Sequence, residues 1–342
     1  MIKENKLNMV VDAQWGSTGK GKLCSFLYEN YKIDVAISNN MPNAGHVSVI
    51  KSPSGRTEKF VLKALPTGAL YPGIKCFIGP YSVIDVNRLT EEINEIVSKL
   101  EHLPEVYIHP MACVLTPENV EQEKQLVSGI SSTGQGSCSA VMQKMARLGN
   151  AYLFKNYNGG LPIRTEIKDY SEVYSTNNST LLAEGSQGHD LSLNWGTSYP
   201  YVTSRDCNVG TMLENSGVSC HRIGNIIASI RTFPIRVGSV GDGTSGPYWD
   251  DQQELCWKDL GVMAEYTTVT KRVRRVFTYS RRQIEKFCRI VGPTHAFLNF
   301  VNYLEEETAE DFIKMVEKDL KRWGCVLSLL GTGPKSHEVI NL

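Results

Sequence analysis

Leu7-Asn8-Met9-Val10-Val11-Asp12, followed by Ala13-Gln14-Trp15-Gly16-Ser17-Thr18-Gly19-Lys20-Gly21-Lys22, decides the fold. The first six residues are a short apolar run that breaks into the glycine-rich stretch Gly16–Gly21, and the next segment, Lys22–Tyr28, sets Leu23, Phe26 and Leu27 on one helical face. Strand, loop and helix in that order, with GxxxxGK spacing over Gly16–Lys22, form the layout of a phosphate-binding loop. Small residues there let backbone N–H groups converge on phosphate oxygens at a helix N-terminus. Leu23 stands where an ordinary loop of this kind has the Ser or Thr that holds Mg²⁺, so the chain is not an ordinary P-loop NTPase.

Outward from this unit the same alternation recurs. Val35–Ile37, Cys76–Ile78, Val106–Ile108, Leu181–Ala183, Ile226–Ile230, Ala296–Val301 and Cys325–Leu330 are strand candidates, several of them continuously apolar, as strands buried on both faces of a parallel sheet are. Helical stretches lie between them, at Leu89–Leu100, Glu118–Val127 and Thr308–Trp323. The pattern predicts an α/β fold, a single large domain over residues 1–342 with a mostly parallel central sheet. Phe233–Asp251, rich in glycine and polar residues, reads as a loop or lid.

Whole-chain chemistry narrows the partners. Lys plus Arg equal Asp plus Glu, 36 of each, so no global field draws the chain to nucleic acid or to an anionic membrane, and phosphate binding must come from local clusters. No apolar run approaches membrane-spanning length and Met1–Lys6 is polar, which leads us to expect a cytoplasmic protein. The nine cysteines are scattered singly, without metal-ligand spacing, and read as reduced structural thiols.

Further motifs follow the loop in order: Asn43-Ala44-Gly45-His46, Ser132-Thr133-Gly134 with Ala146-Arg147, Glu184-Gly185-Ser186-Gln187-Gly188, the GTSYPYVT stretch Gly196–Thr203, Thr270 with Arg272, Arg274 and Arg275, and Thr332-Gly333-Pro334. The loop resembles the QWGDEGKGK opening of the adenylosuccinate synthetases. The later motifs resemble that family's NAGH, TTGRG…ARR, EGAQG, GTYPYVT, TTGRRRR and TGPD, so the resemblance runs from about Leu7 to the turn at Thr332–Pro334. It implies a Mg²⁺-dependent ligase that phosphorylates a purine 6-oxygen from a nucleoside triphosphate and then lets the amine of L-aspartate displace phosphate.

The resemblance also implies roles. His46, Lys20, Gln187 and Ser17 are the catalytic candidates, His46 bridging the 6-oxygen and the transferred phosphoryl group, work that suits a side chain with a pKa near neutrality. Ser17, Asn43, Ser132, Thr133, Gln187 and Thr203 would hold the acceptor nucleotide, joined across a homodimer interface by Arg147. Gly16, Thr18, Gly19, Lys20, Gly21, Lys22, Asn299, Thr332, Gly333 and Pro334 would hold the triphosphate. Thr270, Arg272 and Arg274 would grip L-aspartate, two guanidinium forks suiting its carboxylates, and Ser17 and Gly45 would lie at the Mg²⁺ site.

Two departures from the family pattern bear on substrate. Ser17 replaces the aspartate that takes the N1 proton of hypoxanthine; it is smaller and neutral, leaves room beside N1 for an exocyclic 2-amino group, and can accept a hydrogen bond from it. That is the pattern of the phage members of the family, which act on dGMP and make precursors of 2,6-diaminopurine DNA. A serine hydroxyl is far too weak a base to replace the carboxylate, which leaves stabilisation of the 6-oxyanion by His46 and Gln187 as the candidate substitute. Asn299 stands where bacterial members read GTP with an aspartate, and Lys335 replaces the acid of TGPD, so ATP or dATP is expected as donor. An ordinary synthetase acting on IMP is the nearest alternative, and a non-catalytic nucleotide switch is the alternative of another class.

Overall fold

A computed structural model describes residues 1–342 except 128–129, 131, 150, 175–176, 240–243 and 268–271. Its centre is a ten-stranded sheet built from β1 (Leu7–Asp12), β2 (Val35–Ser38), β3 (Lys75–Ile78), β4 (Glu105–Ile108), β5 (Thr165–Ile167), β6 (Leu181–Glu184), β7 (Ile223–Arg231), β8 (His295–Asn299), β9 (Val326–Gly331) and β10 (Val339–Asn341). The order is β10-β9-β8-β7-β1-β6-β2-β3-β4-β5, parallel at every pairing except that of β9 with β10. Each expected strand contributes to this sheet, but the one expected over Ala296–Val301 ends at Asn299, with Val301 opening a 3₁₀ turn, and the one expected from Cys325 begins at Val326.

The continuous apolar runs are explained by burial on both faces. Along β1, Leu7, Met9 and Val11 face a core shared with Met212, Ile284, Phe287, Val316 and Leu320, whereas Val10 faces Leu23, Cys24 and Leu27 of α1 (Lys20–Asn30). A third core lies under the helix Val86–Leu100, whose Leu89, Ile93 and Ile96 pack on Phe60, Leu62, Ile78 and Ile108. That helix begins where the Asp85 side chain accepts from the amides of Asn87 and Arg88, and it ends in a left-handed residue, Glu101.

Elements beyond the sequence expectation matter for the site. His46–Lys51 and Thr57–Leu62 form an antiparallel hairpin that packs on α1. The expected loop at Phe233–Asp251 contains a short strand, Ile235–Arg236, in a three-stranded antiparallel sheet with Arg275–Phe277 and Glu254–Leu255. Among the described residues no disulfide forms, and no helix is long and apolar enough to cross a membrane.

Candidate active site

In an open parallel sheet, ligands bind beyond the carboxyl ends of the strands, where the connecting loops diverge. The loops after β1, β2 and β6 meet there around a cleft of about 880 Å³, lined by Gly16–Gly21, Asn43–Val47, Ser132, Thr133, Gln187, Tyr199–Ser204, Arg236, Glu265 and Arg274 among others. Motifs far apart in the chain are therefore joined at one opening, with the N-terminus of α1 directed at it.

The loop after β1 is built on left-handed backbone: Gly16 has φ 93°, Ser17 57° and Gly19 92°. Gly19 is needed for space as well, since a Cβ there would lie 2.0 Å from Asn299 Nδ2. A Cβ on Gly188 would lie 2.2 Å from the Gln14 carbonyl oxygen, so that glycine lets the loops after β1 and β6 touch. Beneath the loop, Asp12 accepts from the amides of Gln14 (2.9 Å) and Gly16 (3.2 Å), from Thr18 Oγ1 (2.6 Å) and from Lys20 Nζ (2.9 Å). Lys20 Nζ also donates to the Gln187 carbonyl at 2.9 Å. The carbonyl of Ser17 accepts from Arg231 Nη1 at 3.2 Å, and Arg231 is itself held by Glu265. Ser17's side chain is left exposed at the cleft.

His46 opens the hairpin with its ring buried at the cleft wall. Its Nδ1 lies 3.5 Å from Glu184 Oε2, an ion-pair separation and not a formed hydrogen bond. Glu184 also accepts from the Thr67 amide, the Gly68 amide and the Tyr28 hydroxyl. Burial works to raise the Glu184 carboxyl, but His46, the Thr67 amide and Tyr28 outweigh it and hold it below its ordinary value, so it stays a carboxylate facing Nδ1. Gln187, left-handed at φ 64°, sends its side chain to the cleft, and the Cys207 thiol lies 3.6 Å from its Oε1. Burial pushes that thiol up to about 11, so it stays protonated and able to donate.

Several polar atoms on the cleft wall are buried without a hydrogen-bond partner: Trp15 Nε1, Asn43 Oδ1, His46 Nε2 and Thr203 Oγ1, while His46 Nδ1 faces only Glu184. Buried polar atoms are nearly always paired, so this group marks a surface that a polar ligand completes. Arg236 is a buried cation on the same wall, its guanidinium 4.8 Å from the Trp15 ring and its nitrogens on the Tyr201 and Pro247 carbonyls. Burial lowers it to about 10. Burial also lowers Arg274, with Glu265 pulling the other way.

Not every expected residue reaches the cleft. Lys22 Nζ turns away from it and donates to the carbonyls of Gly333 and Glu338 and, at 3.4 Å, to Asn299 Oδ1. Burial lowers this amine to about 8, and in this arrangement it ties α1 to the turn after β9. Asn299 has both halves of its amide engaged, Nδ2 donating to the Thr18 carbonyl at 3.0 Å, so in this arrangement it does not offer them to a base. Thr332, Gly333 and Pro334 are gathered with Lys22 and Glu338 outside the cleft lining. Arg147 is exposed past the helix Ser137–Met145 and does not line its own cleft, and neither does Arg272, whose amide donates to Thr267 Oγ1. Thr270 lies outside the described residues. Sequence reasoning missed Asp12, Glu184, Arg231, Glu265, Cys207 and Arg236. Two of these left a signal: Asp12 as an acid closing an apolar strand, and Glu184 as the first residue of the Glu184–Gly188 motif, where it was given no role.

A parallel sheet whose strand-end loops gather a glycine-rich turn, a carboxylate-backed histidine and unpaired polar atoms defines a nucleotide-handling α/β protein. The adenylosuccinate synthetase family model matches residues 9–159 and 152–314, and the chain belongs to that family. It is 38% identical to the N6-succino-2-amino-2'-deoxyadenylate synthase of Vibrio phage phiVC8, over 97% of this chain and 97% of that protein. The adenylosuccinate synthetase of Methanococcus aeolicus is 29% identical over 98% of each. Among solved structures, the succinoaminodeoxyadenylate synthetase of cyanophage S-2L, bound to dGMP and to dATP as an energy donor, superposes with a TM-score of 0.87 at 32% identity, covering 99% of this chain and 96% of that one.

Proposed function

We propose that this chain is a ligase that condenses L-aspartate with the 6-position of dGMP, using ATP or dATP, to give 2-amino-2'-deoxy-N6-succinoadenylate. The observation that carries this reading is Ser17: a small, neutral, exposed side chain at the cleft, in the loop position where the family's hypoxanthine users carry an acid. The phage relatives and the dGMP- and dATP-bound neighbour support it.

The chemistry has two steps. The purine 6-oxygen attacks the γ-phosphorus, forming an O–P bond as the bond to the nucleoside diphosphate breaks and the N1 proton leaves. The aspartate amine then adds at C6 and the C–O bond breaks, releasing phosphate and the amine proton. His46, backed by Glu184, donates to the 6-oxygen and the transferring phosphoryl group, and Gln187 holds the same edge of the base. Asn43, Thr133 and Thr203 receive the acceptor's 5′-phosphate, with Ser132 beside them on the cleft wall; Lys20 and the amides of Thr18, Gly19 and Gly21 receive the triphosphate. Thr270, Arg272 and Arg274 receive L-aspartate. Among the described residues no three His, Cys, Asp or Glu side chains cluster as metal ligands. Ser17 and Gly45 are the residues at the cleft that would face a Mg²⁺ ion, through neutral oxygens, and the ion would neutralise charge on the triphosphate. The exposed Arg147 serves the neighbouring subunit's phosphate site in a homodimer.

Calorimetric titration of dGMP and of IMP into the protein tests the acceptor. Tighter binding of dGMP is expected, and a preference for IMP would favour the ordinary synthetase.

A further inference from the structure

We infer that Asp12 is the positioning carboxylate of the phosphate loop, standing beneath it in place of the acids that the family's QWGDEGKGK loop carries at the positions of Ser17 and Thr18. Loss of both acids leaves the Lys20 ammonium without a loop carboxylate. The structure supplies one from the end of β1: Asp12 is fully buried, touches no open space, and spends its oxygens on four donors of the loop itself. Thr18, at the position of the second acid, has become a donor to Asp12.

The consequence lies in direction. An ammonium has three donors; Asp12 and the Gln187 carbonyl fix two of them, and Lys20 lines the cleft, so the third is left for a nucleotide that enters it. On the other oxygen, the amides of Gln14 and Gly16 are drawn beneath the turn, which leaves the Ser17 side chain at the cleft. Moving the negative charge from the loop's face to its underside therefore keeps Lys20 paired while position 17 stays small and neutral beside the base. The kinetic part of this inference rests on the proposed acceptor and donor, the binding part on the proposed donor alone.

The test uses Asp12→Asn, which keeps the volume and removes the charge, and Asp12→Asn combined with Thr18→Glu, which returns a carboxylate at the family's position. A misaimed Lys20 should weaken binding of Mg²⁺–dATP about tenfold and lower kcat with dGMP about a hundredfold, with KM for dGMP within about twofold of wild type. The double variant should recover at least about tenfold of the lost kcat and most of the dATP affinity. Wild-type kcat and dATP affinity in Asp12→Asn would overturn the inference. So would a loss that follows a fall in Tm and is not recovered by Thr18→Glu, since a purely structural role predicts that pattern. A wild type that binds dATP but forms no product from dGMP would count against the proposed function instead, and the dATP affinities would still decide on Asp12.

Discussion

Ser17→Asp is the perturbation that bears most closely on the choice of base. Ser17 sits at φ 57°, a left-handed conformation that aspartate tolerates better than most residues, and its side chain is exposed at the cleft, so the fold should survive and the effect should be read at the substrate. On the proposed reading, the serine oxygen offers the guanine 2-amino group one hydrogen bond, worth about 1 kcal/mol net. A carboxylate could still accept that bond, but the extra atoms crowd the amine, and overpacking costs about 1–3 kcal/mol. Taking about 2 kcal/mol for the balance gives roughly a thirtyfold fall in kcat/KM for dGMP. The new carboxylate also supplies the base that hypoxanthine requires, so dIMP turnover should rise relative to dGMP. Steady-state kcat/KM for both nucleotides, in wild type and variant, is the assay. An unchanged value for dGMP in the variant would refute the reasoning, because position 17 would then not face the 2-position of the base.

His46→Ala should lower kcat by about 10²–10⁴-fold while dGMP and dATP affinities change little, as for a group that acts mainly in the transition state; single-turnover kinetics beside equilibrium binding would check this. Mixing Arg147→Ala subunits with His46→Ala subunits should restore part of the activity if each site borrows Arg147 from its neighbour, and no recovery in demonstrated heterodimers would exclude the shared site. His189 is buried against Phe287, and burial lowers it from 6.5 to about 4. The unfolded chain therefore takes up that proton first as pH falls, so its contribution is intact above about 6.5 and lost progressively toward 4. Urea unfolding at pH 7 and pH 5 should show a larger loss in wild type than in His189→Leu, and equal losses would contradict the assignment.

The sheet was legible because its strands are buried on both faces and read as apolar runs, β1 and β6 most clearly. The hairpin at His46–Lys51 was not among the expected strands, although its burial alternates as a half-exposed strand's does. The helix Arg281–Val291 was passed over too, even though Ile284, Phe287, Cys288 and Val291 recur at helical spacing, because charged residues lie between them. At the site, Ser17, His46, Gln187 and Thr203 were found through contiguous motifs and meet at one cleft. Lys22 was expected at the phosphates because local spacing cannot say which way a helical side chain turns: in the first turn of α1, it faces β8 and the turn after β9 instead of the loop mouth. Asn299 looked like a base reader for the same reason, and tertiary contact with Thr18 and Lys22 uses its amide. Glu184, Arg231 and Cys207 act on residues that other loops present, contacts that exist only after the sheet has assembled.

The central claim is tested most directly by incubating the protein with L-aspartate, Mg²⁺ and each pairing of donor (ATP, dATP, GTP) with acceptor (dGMP, GMP, dIMP, IMP), and detecting products by mass. The account predicts a succinylated adduct of dGMP formed with ATP or dATP, accompanied by release of phosphate. An adduct formed only from dIMP or IMP, or turnover with GTP equal to that with ATP and dATP, would contradict it.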